Sequence, residues 1–176
     1  LTKYLSKYKT NNLVELGSGY GSKIINIGKI LKDQYNIKYF AGELSHNGRK
    51  ITNYISKKEN LNITTFKFNF FDKNSYKFIP LRSIIYTSYS MHYMLKIDPN
   101  FFLNLKKRKP LLVINFEPLF EIHNEKKLYG KLCRNYILKN GYCINQLSLM
   151  NKKQKNKEIK ILDIKKNIFG SNPILP

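Results

Sequence analysis

Tryptophan is missing from this chain, alanine occurs once, and only two cysteines stand among its 176 residues. Cys133 and Cys143 are too few for a four-ligand zinc site and read as ordinary intracellular thiols, not as a disulfide framework. Long apolar runs are lacking too: no stretch reaches the ~18 residues of a membrane-spanning helix. No charged-then-apolar leader opens the chain. These absences predict a cytoplasmic protein with no membrane span. Acidic residues are the last scarcity, 11 against 32 Lys and Arg, which leaves a formal charge of +21 and a pI near 9.9.

A field of that size points first to nucleic acid. The composition argues against that reading. Lysine supplies 28 of the basic residues and arginine 4, and Lys, Asn and Ile together make up 70 of the 176 positions. Those three residues have AT-rich codons and alanine has GC-rich ones, so mutational bias accounts for much of the lysine. The densest run, Lys152 to Lys166, reads as a solvated surface. No RNP-type motif or zinc knuckle is visible, and nucleic acid is not the favoured partner. Phe66, Phe68, Phe70 and Phe71 fall on an expected strand, where core packing is the commoner role.

What is present is enough for a core. Hydrophobic residues are 42% and aromatic residues 14% of the chain, which excludes a disordered polymer and fits one domain over residues 1–176. The chain begins at Leu1 and ends in a loop-like Gly-Ser-Asn-Pro-Ile-Leu-Pro stretch, so truncation at one or both ends is expected. The spacing of Leu1, Tyr4, Leu5 and Tyr8 suits a short packing helix. Short apolar runs predict strands at Asn12 to Leu16, Lys38 to Leu44, Ile63 to Phe70, Ser83 to Thr87 and Leu111 to Phe116. Helical spacing predicts helices at Ser22 to Leu31 and Gly48 to Lys58. Asp98-Pro99-Asn100-Phe101 is a helix start, and Glu125 to Lys139 is a further helix stopped by Asn140-Gly141. Ile144 to Lys153 suits helix or strand, and the imperfect alternation over Glu158 to Ile168 predicts a strand. The alternation of strands and helices defines an α/β three-layer sandwich with a mostly parallel, doubly wound sheet. Ligands of such sheets bind beyond the carboxyl ends of the strands.

The residues at those ends are informative. The first strand runs into Glu15-Leu16-Gly17-Ser18-Gly19-Tyr20-Gly21. Ser22-Lys23-Ile24 fails the P-loop pattern, and the glycine spacing G-x-G-x-G fails the dinucleotide fingerprint. What remains is a Glu-x-Gly-x-Gly-x-Gly turn between strand and helix. The second strand ends at Glu43-Leu44, where an acid can accept from both hydroxyls of a ribose. The third region ends at Phe71-Asp72, where a carboxylate can accept from an adenine amino group. Residues 1 to 90 hold only five acids, and Glu15, Glu43 and Asp72 are three of them.

On these residues the chain resembles a class I S-adenosylmethionine-dependent methyltransferase, from about residue 12 to residue 168. Val14 to Gly21 resembles the family's first motif and Glu43 its ribose-holding acid. Asp72, with Phe71 beside it, resembles the adenine-contacting position. Ile85 to Tyr93 resembles the fourth motif, where the methionine end of the cofactor faces the substrate. The resemblance implies S-adenosyl-L-methionine as cofactor, held by Glu15, Gly17, Ser18, Gly19, Tyr20, Gly21, Glu43, Leu44, Phe71, Asp72 and Ser88. Tyr20 either covers the cofactor or packs on the following helix. The fourth motif lacks an Asn-Pro-Pro-Tyr or Asp-Pro-Pro-Tyr string, which argues against methylation of exocyclic base nitrogens. Ser90-Met91-His92-Tyr93 is more similar to small-molecule methyltransferases. The family's seventh strand is not visible.

Methyl transfer of this kind is a single in-line displacement that rests on alignment, with a base where the nucleophile needs one. His92 is the candidate base or substrate contact. Glu117 follows the fifth strand, and Pro118 fixes a turn there. Glu121 and His123 follow closely, as substrate contacts or as metal ligands; with no further ligand nearby, no metal is expected. The leading expectation is methyl transfer to a small or biosynthetic acceptor, at oxygen. The alternatives are an RNA or protein methyltransferase that uses the basic surface, and a non-catalytic module built on the cofactor fold. Oligomeric state is left open.

Overall fold

A computed structural model describes residues 2–33 and 36–166. Each short apolar run expected to be a strand forms one: β1 (Asn12–Leu16), β2 (Lys38–Glu43), β3 (Ile63–Lys67), β4 (Ile84–Ser88) and β5 (Leu112–Phe116). Their order in the sheet is β3-β2-β1-β4-β5. β1 pairs in parallel with β2 and β4, and β2 pairs in parallel with β3. The strand order therefore reverses beside β1, the switch point at which such sheets bind ligands.

Helices α1 (Thr2–Tyr8), α2 (Ser22–Leu31), α3 (His46–Lys58) and α4 (Asn100–Lys106) accompany the sheet. Alternation along a strand sends successive side chains to opposite faces. Leu13, Tyr39, Ala41, Ile84 and Tyr86 lie on one face and pack with Leu5 of α1 and Ile24, Ile25 and Leu31 of α2. Val14 and Leu16 alternate away from that cluster. Phe68, Phe70, Tyr76 and Phe101 form a separate chain of ring contacts with centroids 5.0 to 6.3 Å apart. Phe66, Phe68 and Phe70 thus go to aromatic packing as expected, whereas Phe71 is corrected: it lies beyond the strand end and is 64% exposed.

The chain divides into two compact units: Leu1–Ser90 with Asn100–Asn115, and Met91–Pro99 with Phe116–Pro176. The second unit contains short 3-10 turns at Met91–Tyr93 and Phe120–Ile122, then α5 (Leu128–Lys139) and α6 (Gln146–Lys155).

Several boundaries move for local reasons. α3 begins two residues early because Ser45 caps it, its hydroxyl accepting the Gly48 N–H at 3.2 Å. β3 stops at Lys67 because Asn69 starts a turn, its side chain accepting the Phe71 N–H and its carbonyl the Asp72 N–H. α5 starts at Leu128, not at Glu125, because the Asn124 side chain accepts the Lys126 N–H and holds a turn ahead of the helix. The segment Ile144 to Lys153 resolves as helix. The strand expected over Glu158 to Ile168 is corrected: residues 159–166 carry no strand, and residues 167–168 lie outside the described set. Glu158 instead pairs with Lys153 at 2.7 Å, and the Ile161 N–H donates to the Gln154 side chain at 2.6 Å, so the segment turns back on the end of α6.

Candidate active site

The glycine turn is held from several sides. The N–H groups of Gly17 and Ser18 both donate to the Gly42 carbonyl, at 2.8 and 3.1 Å, which ties the turn to the end of β2. Gly17, Gly19 and Gly21 all have positive φ, +73°, +57° and +78°, a backbone open mainly to glycine. A Cβ on Gly17 would fall 2.5 Å from Cβ of Ser90, and one on Gly21 2.6 Å from Cγ2 of Thr52; nothing lies within 4 Å of one on Gly19. The outer two glycines let the protein close around the turn, and the middle one leaves its face open. Ser18 is 9% exposed, and its hydroxyl is buried with no hydrogen-bond partner among the described residues. An orphaned hydroxyl costs about 1–3 kcal/mol, so the turn suits a polar ligand.

Glu43 joins the end of β2 to this turn. Its Oε2 accepts the Gly19 N–H at 2.8 Å and its Oε1 accepts the Ser45 N–H at 2.7 Å. Each carboxylate oxygen retains a second acceptor site, so the group holds the turn and still offers lone pairs to two hydroxyls. Gly48 permits this closeness, since a Cβ there would fall 2.6 Å from the Gly19 carbonyl oxygen. Leu44 and Phe71 are exposed large apolar side chains, positions that suit the faces of a flat base. Tyr20 is 60% exposed.

Glu15 has a different environment. It is 2% exposed, and its Oε2 accepts the Ile24 N–H and the Tyr86 hydroxyl, each at 3.1 Å. Burial pushes its carboxyl up from 4.5 to about 7, while the Tyr86 hydrogen bond, the Lys23 charge and the Ile24 N–H pull it down. Burial and the Glu15 charge push the Tyr86 phenol well above its ordinary value, so Tyr86 remains a donor. Asp72 is exposed, and its Oδ1 accepts the Asn74 N–H at 2.9 Å. Asn69, half-buried and only two residues past β3, is the polar side chain nearest in sequence to that strand end. An amide two residues past a strand is an ordinary turn former, so its sequence context carries no ligand signal. Ser88 is buried at the last position of β4, and its carbonyl accepts from Lys23 Nζ at 3.5 Å. In the sequence Lys23 appears only in the failed P-loop pattern, and Tyr86 only inside the stretch that resembles the fourth motif.

In the second unit the structure pairs two residues that the sequence suggested separately. Glu117 Oε2 accepts the His92 N–H at 3.2 Å and lies 3.3 Å from His92 Nδ1, with the side chains 3% and 0% exposed. A carboxylate facing Nδ1 holds the ring proton there and leaves Nε2 as the basic nitrogen. Tyr93 and Tyr142 pack against the ring at 4.1 and 4.8 Å between centroids. Glu121 and His123 have other surroundings. Glu121 accepts the Ser148 N–H at 2.9 Å, in the first turn of α6. Burial, with the Arg134 charge, lowers the pKa of His123. Among the described residues no three His, Cys, Asp or Glu side chains gather closely enough to hold a metal ion, and no helix is long and apolar enough to cross a membrane.

No protein-family model and no curated protein matches the sequence. Solved structures do match the fold. Geranyl diphosphate C-methyltransferase from Streptomyces coelicolor A3(2), in complex with Mg2+, geranyl diphosphate and S-adenosyl-L-homocysteine, aligns over 88% of this chain and 59% of its own, with a TM-score of 0.55 and 10% identity. A SAM dependent methyltransferase from Aquifex aeolicus aligns over 64% of this chain and 61% of its own, at a TM-score of 0.46 and 17% identity. TehB from Haemophilus influenzae aligns over 61% and 35%, at 0.46 and 19%. The chain therefore spans between 35% and 61% of the length of these structures. At such identities the likeness is one of fold, and with the sheet order it is decisive at that level. The chain has the α/β fold of the class I S-adenosylmethionine-dependent methyltransferases.

Proposed function

We propose that the chain is a single methyltransferase domain that binds S-adenosyl-L-methionine and methylates a small or biosynthetic acceptor at an oxygen. The observation that carries this reading is the turn itself. It combines an open face at Gly19, an unpartnered buried hydroxyl on Ser18, and the Glu43 carboxylate fixed on the Gly19 N–H.

When bound, S-adenosyl-L-methionine supplies an electrophilic methyl group on a sulfonium sulfur. The chain's own part is to bind, align and deprotonate. The glycine turn lets the backbone approach the ligand, and Glu43 accepts from the ribose hydroxyls. Leu44 and Phe71 flank the base, with Asn69 or Asp72 as the acceptor for its amino group. Glu15 sets a carboxyl under the turn, and Ser88 stands at the methionine end. His92 takes the acceptor's hydroxyl proton at Nε2, while Glu117 holds the Nδ1–H and the ring angle. Such a base is worth about 10²–10⁴ in rate, and alignment supplies the rest.

Calorimetry with S-adenosyl-L-homocysteine tests the reading. Wild-type protein is expected to bind it, and Glu43→Ala to lose about tenfold or more in affinity through the ribose contacts. No binding at millimolar ligand would leave a non-catalytic module as the better reading. Unchanged affinity in Glu43→Ala would remove the ribose assignment alone.

A further inference from the structure

Lys23 is the second residue of α2, and its side chain is half-buried. Its ammonium stands 3.5 Å from the Ser88 carbonyl and 5.7 Å from the centroid of the Tyr89 ring. The end of β4 thereby fixes a cation beside the glycine turn. An ammonium carries three donors, and among the described residues this one meets a single acceptor, at the long limit of a hydrogen bond. It forms no ion pair among those residues; the buried Glu15 carboxylate nearby is engaged by Ile24 and Tyr86.

A second feature of the same turn has the same polarity. Ser18 is more than nine-tenths buried with its hydroxyl unpartnered. The start of α2 adds nothing to it, because Glu15 already accepts the Ile24 N–H there. Cation and hydroxyl together suit an anion. The cofactor proposed for this site carries one anionic group, the carboxylate of its methionine end.

We propose that Lys23 holds that carboxylate, with the Ser18 hydroxyl as a second donor. The inference rests on the methyltransferase reading of the site and adds the residue that fixes the amino-acid tail. Fixing the tail limits rotation of the chain that carries the sulfur, so Lys23 acts as a positioning residue for the methyl group.

Two ligands separate this proposal from the reading beneath it. S-adenosyl-L-homocysteine carries the carboxylate; 5′-methylthioadenosine has the same nucleoside and thioether without it. By calorimetry, Lys23→Met is expected to weaken S-adenosyl-L-homocysteine about tenfold or more and to leave 5′-methylthioadenosine unchanged, with Lys23→Arg recovering most of the loss. Equal affinity of wild type and Lys23→Met for S-adenosyl-L-homocysteine overturns the proposal and leaves the methyltransferase reading intact. An equal loss for both ligands also overturns it. Wild-type protein that binds neither ligand removes the methyltransferase reading, and the proposal with it.

Discussion

Replacing Glu15 by glutamine is expected to stabilise the protein at pH 8 and to do nothing at pH 4.5. The carboxyl titrates near 4.5 when unfolded and at about 7 when buried in the fold. Between those values the folded state keeps a proton that the unfolded state has lost. Stability therefore falls as pH rises from 4.5 to about 7 and levels off above it. At about 1.4 kcal/mol per pH unit, that gap corresponds to about 3.5 kcal/mol, an upper bound. Glutamine retains one oxygen, enough to accept both the Ile24 N–H and the Tyr86 hydroxyl as Oε2 does, and it never ionises. Urea unfolding of both proteins from pH 4.5 to 8 gives the difference directly, because the other titrating groups cancel. The expected curve is near zero at pH 4.5 and rises to as much as about 3.5 kcal/mol in favour of Glu15→Gln at pH 8. A flat difference, or a variant less stable at pH 8, would refute the reasoning. The same substitution is expected to weaken S-adenosyl-L-homocysteine far less than Glu43→Ala does, since Glu15 is enclosed by protein partners.

Two other substitutions follow from geometry. Gly48→Ala adds helix propensity worth about 1 kcal/mol, but its Cβ would fall 2.6 Å from the Gly19 carbonyl oxygen. The overpacking cost of about 1–3 kcal/mol should prevail, seen as a lower urea midpoint and weaker S-adenosyl-L-homocysteine binding; a more stable variant would contradict the close approach. His92→Ala is expected to lower kcat by about 10²–10⁴ at unchanged S-adenosyl-L-homocysteine affinity, with Glu117→Gln intermediate. Full turnover in His92→Ala would return that histidine to a purely structural role.

The sheet was legible because its strands are short apolar runs ended by Gly17, Glu43 and Ser88, where burial and turn chemistry agree. Glu158 to Ile168 misled because alternation predicts a strand only where a neighbouring strand offers a ladder, and here Lys153 and Gln154 take the segment's polar groups instead. The glycine turn and Glu43 were legible as a motif. The environment of Glu15 was not, since its partner Tyr86 lies 71 residues away and joins it only through the pairing of β1 with β4. The His92–Glu117 contact was hidden for the same reason: each residue follows a different strand, and a separation of 25 residues carries no periodic signal. Lys23 escaped notice because one lysine among 28 carries little weight until its ammonium has a location.

The path of the chain between its two units gives the His92–Glu117 contact a further meaning. The backbone crosses from one unit to the other three times, after Ser90, Pro99 and Asn115. His92 is the second residue past the first crossing, and Glu117 is the second past the third. A chain ending at Asn115 would keep every residue of the glycine turn and would keep His92, yet it would lack the carboxylate that fixes the imidazole. During synthesis the proposed cofactor cradle is therefore complete in sequence before the proposed base is, and the base acquires its partner only after β5 has emerged.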